Sequence, residues 1–190
     1  RMRISNNGDI SFYEDTGTTA KFFWDASAES LGIGTSLPAG DGTALHIHGS
    51  SASTLHLTNS TTGSAISDGF DIVTDGLDAL LRNRESGAIK FRIGSSEAMR
   101  IDSSGNLLVG TTDNSPVGNN DSNGIALLSN GSGQFSRDGG TALLINRKTS
   151  DGELLRFNKD GTTVGSISVS SSATAYNTSS DQRLKENIAD

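Results

Sequence analysis

A nine-residue pattern occurs twice in this chain, and it constrains the fold more than any other feature. Met2-Arg3-Ile4, three residues, then Gly8-Asp9-Ile10 returns 97 positions later as Met99-Arg100-Ile101, three residues, then Gly105-Asn106-Leu107. Gly42-Thr43-Ala44-Leu45 returns as Gly140-Thr141-Ala142-Leu143, and Leu31-Gly32-Ile33-Gly34-Thr35 resembles Leu107-Leu108-Val109-Gly110-Thr111. Leu81-Arg82-Asn83-Arg84 resembles Ile145-Asn146-Arg147, each ahead of a glycine turn at Gly87 or Gly152. A chain built this way is two diverged copies of one module, with insertions collected in the turns.

The module is made of strands. Ile10-Ser11-Phe12, Leu45-His46-Ile47, Leu55-His56-Leu57 and Ile89-Lys90-Phe91-Arg92-Ile93 alternate apolar with polar, and each is closed by Gly, Asn, Asp or Ser. Period two with such punctuation predicts short strands and tight turns. Asn7-Gly8-Asp9, Ser104-Gly105-Asn106 and Asp160-Gly161 read as hairpin turns, because glycine supplies the positive φ they need. No run of ten residues sustains a capped 3.6 period. Leu77 to Arg84 fits a turn or two of helix, and Asn83-Arg84 fits a strand end equally well.

Composition then poses a problem. Leu, Ile, Val and Phe number 42 of 190 residues, while Gly, Ser, Thr and Asn number 84. The bulky fraction sits just above the roughly 20% at which charged chains become disordered. Only two prolines and an ordered apolar pattern argue against disorder. Aromatic residues at 5% cannot fill a large sandwich core. Strand repeats this poor in bulky residues bury their faces against copies of themselves. The expectation is an all-β, elongated homotrimeric fibre, an intertwined β-helix or β-prism with a core shared around one axis.

Several classes are disfavoured. With no cysteine there is no disulfide framework and no Cys-based zinc site. No apolar run approaches the roughly 20 residues that span a bilayer, and no signal peptide is visible. A net charge of −7 is the wrong sign for nucleic acid. No Gly-Lys-Ser or Gly-Lys-Thr occurs to cradle a phosphate. The chain opens on Arg1 rather than Met, so it is expected to be a fragment or a processed piece.

The C-terminal end reads Ser180-Asp181-Gln182-Arg183-Leu184-Lys185-Glu186-Asn187-Ile188. It resembles the start of the intramolecular chaperone, auto-processing domain at the C termini of phage tail fibres, tailspikes and endosialidases. The family pattern Ser-Asp-x-Arg-x-Lys-x-x-Ile is met at Ser180, Asp181, Arg183, Lys185 and Ile188. The Met-Arg-Ile…Gly modules and Gly32-Ile33-Gly34-Thr35 also resemble phage tail-fibre shafts, more loosely. The plainer alternative is that Leu184 and Ile188 form the apolar side of an ordinary helix start.

The resemblance implies a domain that trimerises, helps the fibre fold, then cuts the chain at the motif's serine. Ser180 would be the nucleophile and Lys185 its base, with Asp181 and Arg183 as an ion pair holding the segment. Serine is a weak nucleophile without an adjacent base, and a buried lysine can serve as one. Residues 181–190 imply an uncut molecule, a truncated one, or a longer chain followed only this far. Without the chaperone body, no activity is expected in this stretch. The resemblance further implies a virion tail-fibre location and a structural, adhesive role. Its partners would be tail or baseplate proteins and a bacterial surface glycan or outer-membrane receptor, with no nucleic acid and no cofactor. The organisation reads as module 1 over 1–98, module 2 over 99–169, a Ser/Thr linker over 170–179 and the chaperone start over 180–190. A polysaccharide-degrading tailspike is the alternative. A bacterial trimeric adhesin stalk is disfavoured, since it gives no reason for the C-terminal motif.

Other residues invite chemistry. His46 and His48 project to one strand face, and three chains would bring six imidazoles together. The repeat aligns them with Leu144 and Asn146, whereas Leu45 and Ile47 align with Leu143 and Ile145. The face that stays apolar is therefore the Leu/Ile face, and His46 and His48 are expected to point outward, as His56 does. No metal is assigned to them. Asp68 with Asp71, or Asp75 with Asp78, could be a glycosidase pair, but no aromatic platform adjoins them. Trp24, in Phe22-Phe23-Trp24, reads as an apolar staple between chains. Asp113 through Asp121 does not match the calcium-loop spacing.

Overall fold

A computed structural model describes residues 1–15, 17–39, 43–119 and 122–178. Those residues are all-β, with no helix and no closed sheet. Within Leu77 to Arg84, Asp78–Asn83 is strand and Leu77 lies in the turn before it, so the segment forms no helical turn.

The first sheet contains β1 (Met2–Ile4), β2 (Ile10–Tyr13), β3 (Ala20–Asp25), β4 (Ser30–Ile33) and β5 (Leu45–Ile47), in that spatial order. Next come β6 (Ala52–Leu57), β7 (Phe70–Asp75) and β8 (Asp78–Asn83), a three-stranded meander. Then β9 (Ile89–Ile93), β10 (Ser96–Ile101), β11 (Leu107–Val109), β12 (Gly124–Leu127) and β13 (Gly133–Ser136) form a second five-stranded sheet. A last meander holds β14 (Gly152–Lys159), β15 (Thr162–Val169) and β16 (Thr174–Thr178). The strand β16 lies inside the segment read as a Ser/Thr linker. It bonds β15 from Gly165↔Thr178 to Val169↔Thr174, so sheet pairing runs on through that polar stretch.

The repeated pattern folds twice into one hairpin. Met2 faces Phe12 and Ile4 faces Ile10; Met99 faces Val109 and Ile101 faces Leu107. The closing bonds also match. Ser5 N donates to Asp9 O at 2.9 Å and Gly8 N to Ser5 O at 3.0 Å, while Asp102 N donates to Asn106 O at 3.0 Å and Gly105 N to Asp102 O at 3.0 Å. Gly8 (φ 93°) and Gly105 (φ 81°) hold the conformation that only glycine adopts cheaply. Between β14 and β15, Asp160 (φ 49°) and Gly161 (φ 79°) are both left-handed, as a type I′ turn requires.

One repeated segment departs from expectation. Leu45–Ile47 is strand β5, parallel to β4. Its counterpart Leu143 to Ile145 belongs to no strand.

Candidate functional site

The register fixes what each sheet presents. In the first sheet, one row across the strands reads Met2, Phe12, Phe22, Ile33, Ile47, and the next reads Ile4, Ile10, Trp24, Leu31, Leu45. Side chains on a rung share a face, so all ten apolar residues lie on one side. Phe12 and Phe22 meet edge to face at 5.2 Å. In the second five-stranded sheet the rows are Phe91, Met99, Val109, Ile125, Phe135 and Ile89, Ile101, Leu107, Leu127, Gly133. The meanders repeat the scheme with Leu55, Ile72, Leu81 and with Leu155, Ile167, Tyr176.

The bulky faces are the open ones. Met2, Ile4, Phe12, Phe22, Leu45, Leu55, Ile72, Leu81, Phe91, Ile101, Leu127 and Phe135 are all exposed. The buried apolar residues among the described ones are Ala20, Val73, Leu108, Ala126 and the loop residue Pro116. Of these, Val73, Leu108 and Ala126 sit on the opposite, mostly small or polar faces. The chain's accessible surface is 14034 Å². A compact protein of 19.7 kDa exposes about 8,600 Å². Discounting the residues outside the described set at the unfolded-chain rate still leaves about 2,700 Å² of excess. Single folded chains rarely carry apolar patches beyond a few hundred Å².

The polar faces hold one dense cluster, which the sequence did not disclose. Asp71 lies on the middle strand β7, on the same rung as His56 of β6 and Arg82 of β8. Its side chain is 0% exposed. His56 Nδ1 lies 2.5 Å from Oδ1, while Arg82 Nε at 3.0 Å and Arg84 Nε at 2.7 Å donate to Oδ2. The His56 hydrogen bond, then those of Arg84 and Arg82, hold the Asp71 carboxyl well below its ordinary range, against the opposing effect of burial. An ionised carboxylate only accepts, so His56 Nδ1 carries the proton. His56 lies on the face opposite Leu55 and Leu57, as the alternation predicted, and there it is engaged by its rung neighbour Asp71.

This cluster ties three strands together. A general acid needs its pKa raised toward working pH, whereas Asp71 is driven down. A depressed folded-state value adds stability that is complete above the unfolded pKa of about 4 and is lost as pH falls below it. Asp71→Asn is expected to melt earlier than the parent at pH 7, with the largest loss of any single substitution on this face. The gap should begin to narrow by about pH 3, as the parent's carboxylate starts to lose its advantage. Thermal melts at the two pH values check this; an unchanged gap removes the assigned role.

The remaining candidates settle into local structure. His46 and His48 rings are 6.0 Å apart, and His46 shares its rung with Gly32, opposite the Leu45/Ile47 face. His46 Nδ1 accepts from Ala39 N at 3.2 Å. Among the described residues, no three His, Asp or Glu gather as metal ligands would. Asp68 Oδ2 accepts from Ala65 N at 2.8 Å, and Asp75 and Asp78 flank the β7–β8 turn as a rung pair. Asp113 is held below its usual pKa by hydrogen bonds from Asn119, the Ser115 backbone and Ser122, which fold its loop. Among the described residues, every other carboxyl with a shifted pKa, namely Asp25, Glu97, Asp102 and Glu153, also moves down. Ser180 and Lys185 lie outside the described residues.

No family model, curated protein or solved structure matches this chain. The functional reading therefore rests on the faces, the registers and the C-terminal motif.

Proposed function

We propose that this chain is a shaft segment of a homotrimeric phage tail fibre, structural and adhesive in role, that positions a host-attachment surface. The observation that carries the reading is the exposure of one bulky face on every sheet. Three chains facing inward would bury those rows around a common axis and leave Ser, Thr, Asn and the Asp71 cluster outside. The motif from Ser180 to Ile188 supplies the second support, as the start of a chaperone that trimerises the fibre and releases itself at Ser180 with Lys185 as base.

Sedimentation of the purified chain is expected to give about three times 19.7 kDa. A stable folded monomer would overturn the reading. The tailspike alternative is tested by turnover of capsular or lipopolysaccharide glycans. The downward shifts of its carboxyls do not favour it, since glycoside hydrolysis wants one carboxyl held protonated.

A further inference from the structure

The two five-stranded sheets are related strand by strand, and the relation leaves one place empty. The matched hairpins equate β1 with β10 and β2 with β11. The next antiparallel partners equate β3 with β12 and β4 with β13. Beyond β4 the first sheet has β5, parallel, with Leu31↔Leu45, Gly32↔His46 and Ile33↔Ile47. Among the described residues, nothing pairs with the outer side of β13, which is an edge of the second sheet. The segment that repeats β5, Gly140-Thr141-Ala142-Leu143-Leu144-Ile145, follows β13 directly and joins no strand. It exposes Leu143 (50%), Leu144 (84%) and Ile145 (40%).

Connection length explains the difference. A parallel return needs roughly a dozen residues to travel back along the strand and step sideways. Residues 34–44 supply eleven between β4 and β5, and residues 137–142 supply six between β13 and Leu143. The shorter link cannot comfortably bring the segment back onto its own β13. Short connections of this kind favour exchange between copies. An independent observation lies on the same edge. Gln134 Oε1 in β13 is buried and has no hydrogen-bond partner among the described residues, which is uncommon for a buried acceptor.

We infer that Leu143 to Ile145 of one copy completes the open edge of β13 on a neighbouring copy, as a parallel strand with Gly133↔Leu143, Gln134↔Leu144 and Phe135↔Ile145. That register transfers the β4–β5 pairing onto β13. It extends the apolar row through Phe135 to Ile145 and puts Asn146, an amide donor, on the face that carries Gln134. The inference rests on the trimer reading and names the element that crosses between its chains.

The chain has no cysteine, so introduced thiols report one contact at a time. Tagged chains with Gln134→Cys are co-expressed with untagged chains carrying Leu144→Cys, and sedimentation mass is measured on the same sample. Rung neighbours fall within disulfide reach. A heterodimeric band on a non-reducing gel is expected, lost with reductant, and absent when Asn130→Cys replaces Gln134→Cys. A trimer that forms no such band overturns the strand exchange and leaves the trimer standing. Equal linking from Asn130→Cys overturns the register. A single-chain mass overturns both. Because Gln134 is half-buried, the pair Ser132→Cys with Ala142→Cys, two rungs away on the same face, is run in parallel against misfolding of the first. A band from either pair supports the inference, and its absence from both in a trimeric sample rejects it.

Discussion

Phe91→Asp is expected to leave the chain as single or aggregated copies where the parent sediments as three. Phe91 begins the row that runs through Met99, Val109, Ile125 and Phe135 on the open face of its sheet. Facing an axis, one substitution places three carboxylates in a shared apolar core. Each unpaired buried carboxylate costs several kcal/mol. Summed over three chains, the association constant should fall by at least about 10⁴-fold, taking about 1.4 kcal/mol for each factor of ten. Lys90→Gln, next door but on the other face, should leave the mass unchanged. A Phe91→Asp chain that still forms the parent assembly with parent stability would mean that this face is not the interface.

The second large effect concerns the C-terminal motif. In a chain carrying the whole chaperone domain, Ser180→Ala should slow release by at least about 10³-fold, because removing the nucleophile of a serine mechanism removes the covalent route. Lys185→Ala should do the same. Lys185→Arg should not rescue, since a guanidinium stays protonated and cannot act as base. The readout is the time course of product bands by mass. Unchanged processing in Ser180→Ala removes the assignment of Ser180 as nucleophile.

Much of the fold was legible because alternation and turn chemistry are local. The Met-Arg-Ile…Gly pattern predicted two like hairpins, and both closed with the same register and bonds. Asp160-Gly161 turned where its residue types require. What stayed hidden depends on which strand lies beside which. Leu45-His46-Ile47 and Leu143-Leu144-Ile145 have the same local pattern, yet only the first is a strand, and the length of the preceding connection separates them. The Asp71 cluster was missed for a related reason. His56, Asp71 and Arg82 are 15 and 11 residues apart in sequence, and only the β6–β7–β8 register makes them one rung.

The shortage of private core has a kinetic consequence. A chain whose own buried apolar residues, among those described, are Ala20, Val73, Leu108, Pro116 and Ala126 would have little of its own to hold it folded before the proposed trimer forms. In the proposed trimer, completion would depend on encounter, so its rate and yield would climb steeply with chain concentration. Joining three chains at one end changes that dependence. Tethered neighbours meet at an effective concentration in the mM range whatever the bulk value. A C-terminal clamp needed only until the rows have zipped together would convert a slow three-body search into a first-order closure. Its removal afterwards would cost the finished fibre little, because by then the faces hold one another.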